Sequence, residues 1–348
     1  DGIRVIRLWT YITANEVFIK RILDYISFMV SSVLAAPFIP CPDIVIGTSP
    51  QFFTACGAYA VSRIKNRPFV FELRDLWPES VKAVGAMTDS VVLRFFEKIE
   101  LFLYRKADRI VSVTESFRQT LIKRGIDGNK IHVVTNGVDF SRFRQLPKDE
   151  DLVNQYGLQD KFVAGYVGTI GMAHALETVL NTAAFLKQEG QEDFQFIFLG
   201  NGARKQRLME KAIEMGLNNV IFIDSVPKEK VPRYWSLIDT SIVHLRKTDL
   251  FTTVIPSKIF ECMGMGIPIL HGVAGESAGI VEKAGAGLIF EPENACDLYD
   301  KLKWLKEDRS LYIRLQQNSL NAVKQYDRAA LAKRMINIIT PNYSHSSI

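Results

Sequence analysis

Short apolar runs alternate with helical segments along most of the chain, and this alternation restricts the fold more than any other feature. Runs rich in Val, Ile and Phe occupy residues 43–47, 69–73, 109–113, 130–135, 162–167, 194–199, 220–223, 241–245 and 267–270. Strands of this kind separated by helices predict parallel sheets with helices on both faces. The predicted fold class is α/β, with doubly wound, Rossmann-like sheets that bind ligands at the carboxyl ends of their strands.

The length of 348 residues favours two domains. The turn at Asn136-Gly137 ends the last strand of the first half, and the acidic stretch PKDED around Lys148 has the composition of a linker. The predicted domains are therefore 1–147 and 148–327.

The first domain is expected to be incomplete. The chain enters almost at once on an apolar run, 3–8, which we predict to be a strand, whereas a Rossmann-like domain begins with a strand and a Gly-rich turn. About two βα units would be needed to complete it. The next segment, 17–36, is an apolar helix interrupted by Lys20, Arg21 and Asp24, too short for a membrane span. Core packing and contact with a membrane surface both remain open for it.

The net charge and the cysteine content restrict the classes of ligand and the redox compartment. A net charge of +5 without basic clusters suits anionic ligands or a membrane surface and argues against nucleic acid. The four cysteines form no Cys-x-x-Cys pair and occur mostly in apolar segments, so we predict buried thiols in a reducing compartment, with neither zinc nor disulfides. Four of the five histidines lie scattered along the chain, and no metal is expected: His132, His174, His244 and His271.

Lys258 and Glu261 are the most informative charged pair. They lie three residues apart and share a helix face, on a helix whose other residues are apolar nearly all round. A buried carboxylate is costly without a charged or hydrogen-bonding partner. The capping-box position holds Phe260, so a capping role does not explain Glu261. An ordinary exposed ion pair is the alternative.

Three Gly-rich turns follow predicted strands. The stretch GVAGESAG, at 272–279, places free backbone N–H groups at a helix start, which favours an anion. The turn Gly168–Gly171 suits either a phosphate or a plain tight turn. The turn Gly200–Gly202 is not a dinucleotide fingerprint, because Lys205 occupies the sixth position.

The segment FELRDLWPES is the clearest candidate in the first domain. Arg74 and Asp75 lie at the end of a buried strand, and Trp77 and Glu79 follow along the edge of the expected cleft. Asp75 could orient an acceptor hydroxyl or take its proton. A structural Arg74–Asp75 ion pair is the alternative.

The motifs PSKIFECMGMGIPIL, GESAGIVEKAGAG and RDLWPES resemble retaining GT-B glycosyltransferases of the family 4 type. The similarity is strongest to bacterial enzymes that build capsule, O-antigen and colanic acid, including the fucosamine-transferase-like group. The resemblance implies two Rossmann-like domains facing a cleft, with helix 328–340 returning to the first. It implies transfer from a nucleotide-diphosphate sugar, UDP-linked in our prediction, to a lipid-linked saccharide. The protein would act peripherally at the inner face of the cytoplasmic membrane, without a metal or other cofactor.

The resemblance also assigns roles. Glu261 would hold the ribose and Lys258 the diphosphate, and with Asp75 they are the predicted catalytic residues. The predicted donor-binding set is Gly168, Thr169, Gly171, His174, Gly200, Asn201, Gly202, Arg204, Thr253, Ser257, Lys258, Glu261, Gly275, Glu276 and Ser277. The predicted acceptor-side set is Arg74, Asp75, Trp77 and Glu79.

Two departures from the family pattern matter. Thr253 replaces the first of the family's two glutamates, and the region of Gly168 offers only Thr169 and His174 where relatives carry fixed cations.

The mechanism expected is retention without an enzyme nucleophile, since no carboxylate pair is set for double displacement. Two other functions stay open: a GT-B-type nucleotide-sugar 2-epimerase, and an inactive GT-B binding module.

Overall fold

A computed structural model describes residues 2–12, 18–77 and 91–340. The chain forms two compact units. The first comprises the described residues up to Thr135 together with 334–340, and the second is Asn136–Lys333. Residues 136–147 therefore lie in the second unit. The acidic segment predicted to be a linker instead starts a helix, Glu150–Tyr156, because the Asp149 side chain accepts a hydrogen bond from the Leu152 N–H at 3.2 Å.

The first unit is built on a parallel sheet. Its strands are β1 Val45–Thr48, β2 Phe69–Leu73, β3 Arg109–Ser112 and β4 Ile131–Val133, and they lie side by side in chain order. The described helices of this unit are Phe18–Ala35, Phe52–Lys65, Val91–Lys106 and Glu115–Lys123. Thr114 caps the last of these by accepting the Phe117 N–H at 3.0 Å.

The strand predicted at 3–8 is wrong. Residues 2–12 have no regular structure and pair with no strand. They are bound instead by side chains of the helix Phe18–Ala35: the Tyr11 N–H donates to Ser27 Oγ at 2.8 Å, and Ser31 Oγ donates to the Trp9 carbonyl at 2.6 Å. Among the described residues, no helix is long and apolar enough to cross a membrane.

The second unit contains a six-stranded parallel sheet. Its strands are β5 Phe162–Val167, β6 Phe194–Leu199, β7 Val220–Ile223, β8 Thr240–His244, β9 Ile269–Gly272 and β10 Gly287–Ile289. Their order is β10-β9-β8-β5-β6-β7. The chain moves outward from β5 to β7, then returns to the other side of β5, which is the doubly wound arrangement.

Helices connect and follow these strands. After Glu150–Tyr156 they are Glu177–Gln188, Lys205–Glu214, Val231–Trp235, Lys258–Met265, Glu276–Ala284, Ala295–Glu307, Arg309–Ala322 and Arg328–Ile339. Every residue of β6 is buried, which explains why the strand is a nearly continuous apolar run.

The prediction of buried thiols is wrong for two of the four cysteines. Cys262 is buried and Cys56 is partly buried, but Cys41 and Cys296 are exposed. Cys296 lies in the first turn of the helix Ala295–Glu307, just after its Asn294 cap.

Candidate functional site

A pocket of about 550 Å³ opens where the strand order of the second unit reverses. Strands β5 and β8 are neighbours there, and the segments that follow them diverge, which leaves a crevice at their carboxyl ends. The lining after β5 includes Gly168, Thr169 and His174, and the lining after β8 includes Pro256, Ser257, Lys258 and Glu261. Six residues of the predicted donor-binding set therefore meet in one pocket.

The ammonium of Lys258 is buried and has no hydrogen-bond partner among the described residues. It lies 3.8 Å from the centre of the Tyr166 ring, a cation–π distance. No described carboxylate pairs with it, so the alternative of an exposed Lys258–Glu261 ion pair is wrong. Burial lowers the pKa of Lys258 from 10.5 to about 8. A buried, unpaired ammonium in a pocket wall is a site prepared for an anion.

Gly168 leaves room for this ammonium. Its φ is +138°, and a Cβ added there would lie 3.1 Å from Lys258 Nζ. The turn is held by Tyr166, whose hydroxyl donates to the Thr169 carbonyl at 2.7 Å. The same aromatic residue therefore supports both the turn and the cation that faces it.

Glu261 lines the same pocket one helical turn after Lys258. Burial raises its pKa, and the nearby Trp235, Lys258 and Arg328 partly offset that rise. Ser257 makes no capping hydrogen bond, and Glu261 lies in the first turn of the helix Lys258–Met265. Glu261 is thus a partly buried carboxylate in the pocket wall.

His174 contributes a neutral imidazole. Burial, with a smaller contribution from Lys258, lowers its pKa to about 4. It is therefore uncharged at neutral pH, in agreement with the expectation that this turn supplies no fixed cation.

Three cations at this pocket escaped the sequence analysis: Arg142, Lys228 and Arg328. All three are exposed, and they come from widely separated turns of the second unit. Arg328 also donates to the Gly137 carbonyl at 3.1 Å, and Arg142 lies 3.7 Å from Asp139. Lys228 follows β7 and could have been found from its place after a strand end. The local sequence around Arg142 and Arg328 gave no indication that they line a pocket.

The glycines of the turn Gly200–Gly202 are required by packing. A Cβ on Gly200 would lie 1.9 Å from the Gly168 carbonyl oxygen, and one on Gly202 would lie 2.3 Å from that of Ile170. The Ile170 N–H donates to the Asn201 carbonyl at 2.9 Å, and the Arg204 N–H donates to the Ile170 carbonyl at 3.0 Å. The two turns thus support each other.

An adjoining pocket of about 240 Å³ continues the crevice. It is lined by Gly200 and Asn201 and shares Gly168 and Thr169 with the larger one. The Arg204 side chain lines neither of these two pockets.

The turn Gly275–Ser277 does not line the 550 Å³ pocket. Gly275, at φ +87°, is required because a Cβ would lie 2.1 Å from the Thr252 carbonyl oxygen. The Ser277 hydroxyl is buried 2.9 Å from His271 Nε2, so its side chain is not available to a ligand. Thr253 donates its hydroxyl to the Leu250 carbonyl at 2.7 Å, within its own turn.

The predicted acceptor-side residues belong to the first unit. Arg74 lies 3.8 Å from Glu72, which is its ion-pair partner among the described residues. Ser49 Oγ accepts the N–H groups of both residues, at 3.0 and 3.2 Å. Trp77 stacks on Phe52 with ring centres 4.5 Å apart, which gives it a packing role. Glu79 lies outside the described residues.

The described residues contain no group of three or more His, Cys, Asp or Glu side chains that could hold a metal. One Asp-x-Asp sequence, at Asp149 and Asp151, is used structurally: Asp149 caps a helix and binds Arg233 at 2.6 Å.

Two Rossmann-like parallel sheets, one with a pocket at its switch point, define an α/β protein of the GT-B type. The family described as glycosyl transferases group 1 matches residues 148–322, half of the chain, and glycosyltransferase family 4 matches 18–142. The chain belongs to the group 1 glycosyl transferases.

Similar sequences and structures agree with this. The putative colanic acid biosynthesis glycosyl transferase WcaI of Escherichia coli K12 is 26% identical over 264 residues, 74% of this chain and 64% of that protein. The putative teichuronic acid biosynthesis glycosyltransferase TuaH of Bacillus subtilis is 24% identical, over 58% of this chain and 49% of its own. The chain thus spans about half to two thirds of these relatives. The crystal structure of Anabaena HepE in complex with UDP-glucose has a TM-score of 0.75 at 17% identity, covering 90% of this chain and 82% of HepE.

Proposed function

We propose that this protein transfers a sugar, with retention, from a nucleotide-diphosphate donor to a lipid-linked saccharide during bacterial surface-polysaccharide synthesis. The observation that carries the proposal is the buried, unpaired ammonium of Lys258 beside Gly168, in the same pocket as Glu261. A nucleoside diphosphate matches this arrangement, with phosphates for the cations and ribose hydroxyls for the carboxylate.

The relatives support the direction of the proposal. WcaI and TuaH are named for colanic and teichuronic acid biosynthesis, and HepE was crystallised with UDP-glucose. Other relatives are named as GDP-mannose-dependent mannosyltransferases. We propose UDP as the carrier, and a direct comparison of UDP with GDP tests that choice.

The pocket residues suggest how the reaction is assisted. As the bond from the sugar to the diphosphate breaks, negative charge grows on the departing phosphate, and Lys258 would stabilise it with help from the exposed Arg142, Lys228 and Arg328. The acceptor oxygen would form its bond to the same sugar carbon on the same face, while its proton passes to the leaving phosphate. Asp75 is the proposed orienting group for the acceptor hydroxyl.

Glu261→Gln is expected to weaken UDP binding about tenfold, about 1.4 kcal/mol, because a neutral amide accepts ribose hydrogen bonds less strongly. The fold should be retained, since the change removes a partly buried charge. Titration calorimetry with UDP measures the affinity, and Glu282→Gln, on an exposed helix position, is the matched control. An unchanged dissociation constant would remove the ribose assignment.

A transfer assay separates the alternatives. Purified protein is incubated with UDP-sugars and a membrane lipid extract, and products are identified by mass. A glycosylated lipid supports the proposal, an epimerised nucleotide sugar indicates a 2-epimerase, and UDP binding without either product indicates a binding module.

We further propose that the protein docks on anionic membrane through its first unit, as a lipid-linked acceptor requires. Residues 2–12 and the helix Phe18–Ala35 expose large apolar side chains, among them Trp9, Ile12 and Leu34, beside the exposed cations Arg4, Arg7 and Lys20. Apolar area next to cations is the combination that binds anionic lipid interfaces.

In a flotation assay, the protein should bind phosphatidylglycerol vesicles at low salt and much less at high salt, because exposed charges are screened over about 8 Å at physiological ionic strength. Reversing Arg4 and Arg7 to glutamate should reduce binding, while the same change at the exposed Arg207 and Lys230 should not. Equal loss in both variants, or no binding at low salt, would contradict docking through this face.

A further inference from the structure

A further pocket of the second unit is about 460 Å³ in volume, and of the predicted donor-binding set only Glu276 lines it. It lies between the helix Glu276–Ala284 and the end of the helix Arg309–Ala322, and it shares no lining residue with the 550 Å³ pocket. Its floor includes the small residues Gly279, Ala284 and Ala322.

Gly279 has no structural explanation in the described chain. Glycine destabilises a helix interior relative to alanine, so a helical glycine needs a reason. Gly57 has one, since a Cβ there would lie 3.3 Å from Met29, and Gly264 has one, since a Cβ there would lie 2.9 Å from the Phe143 carbonyl oxygen. A Cβ on Gly279 would meet nothing within 4 Å, although it opens into the pocket. The bare backbone therefore leaves space for something outside the described chain.

The side chains around Gly279 suit a polyhydroxylated ligand. Gln325 and Lys283 make no side-chain hydrogen bond or ion pair with the described residues, and Asn318 uses only its Nδ2, which donates to the Gly285 carbonyl at 3.2 Å. Amides offer both donors and acceptors, as sugar hydroxyls do. Tyr326, held by its ring contact with Phe260 at 4.5 Å, and Ile280 add the apolar surface on which the C–H face of a sugar ring packs.

We propose that this pocket is a saccharide subsite, which holds a sugar residue of the acceptor glycan away from the nucleotide. It rests on the proposed function for the source of the saccharide. A carbohydrate is favoured over a phosphorylated ligand because three of the ten lining residues carry side-chain amides and the charges of Lys283 and Glu276 are opposite, so the lining has no excess of cations.

The test is saturation-transfer NMR with the full chain and three neutral probes: cellotriose, mannotriose and N-acetylchitotriose. At least one should show transfer to its ring protons. Gly279→Trp should fill the pocket and reduce that signal at least tenfold, with UDP affinity unchanged. Glu282→Trp, which adds the same side chain to an exposed position of the same helix outside the pocket, should leave both intact.

Gln325→Ala keeps the test decisive if Gly279→Trp fails to fold, and it should weaken saccharide binding severalfold without affecting UDP. Absence of binding by all three probes, or binding that survives both pocket variants, would overturn the proposal. Failure of the wild-type protein to bind UDP would instead contradict the proposed nucleotide site. The two failures are therefore distinguishable.

Discussion

Replacing Lys258 with methionine is expected to make the protein more stable and, at the same time, unable to hold UDP tightly. The fall of its pKa from 10.5 to about 8 corresponds to about 3 kcal/mol of destabilisation near pH 7. Methionine has a similar length and packs well on an aromatic ring, so it can replace the ammonium over Tyr166. The variant loses the charged contact to the diphosphate, worth about 1.5–3 kcal/mol, or about 10- to 100-fold in affinity.

Urea unfolding and calorimetric titration with UDP measure the two effects. Lys228→Met is the matched control, because Lys228 lines the same pocket but is exposed. It should weaken UDP binding less and leave stability within about 0.5 kcal/mol of wild type. A less stable Lys258→Met protein would mean that the ammonium has a stabilising partner. Unchanged UDP affinity would place the anion elsewhere.

UDP binding should weaken as the pH rises above 8. In the free protein Lys258 begins to lose its proton near pH 8, whereas a bound diphosphate would raise its pKa again, so binding takes up a proton in this range. The dissociation constant should therefore be about tenfold higher at pH 9 than at pH 7. His174, with a pKa of about 4, stays neutral throughout and does not contribute.

The proton count follows from binding heats in buffers with different ionisation enthalpies. Uptake approaching one proton near pH 9 is expected for the wild type and none for Lys258→Met. Ionisation of the nucleotide base affects both proteins equally, so the comparison isolates the lysine. The same pH dependence in the two proteins would show that Lys258 is not the group involved.

The lowered pKa of Lys258 also makes the stability of the folded protein depend on pH. Because the pKa of Lys258 is lowered in the folded protein, the unfolded chain binds more protons between about pH 8 and 10.5. The destabilisation is therefore fully present below pH 8 and is relieved as the pH rises through this window.

Local pattern predicted several strands well. The bounds of β2, β5 and β6 agree with the apolar runs, because a parallel strand buried on both faces is apolar at nearly every position, and the bounds of the half-buried edge strand β7 agree as well. Pattern failed at 3–8, where the run pairs with no described strand and is held by serines of a helix. Burial of a strand depends on a partner that the segment itself does not specify.

The candidate donor pocket likewise has features that the sequence predicts and features that depend on the tertiary structure. The sequence by itself determined that Lys258 and Glu261 share a helix face and that Glu261 is no cap, since both follow from helix periodicity. It also determined the doubly wound alternation and the turns after the strands. Only the tertiary structure decided that the Lys258 ammonium has no hydrogen-bond partner in the described part of the chain, and that Gly200 and Gly202 serve packing between turns. It also brought Arg142, Lys228 and Arg328 to the same pocket. These contacts join residues far apart in the chain, and their distances depend on the paths of the intervening loops, which periodicity and propensity do not encode.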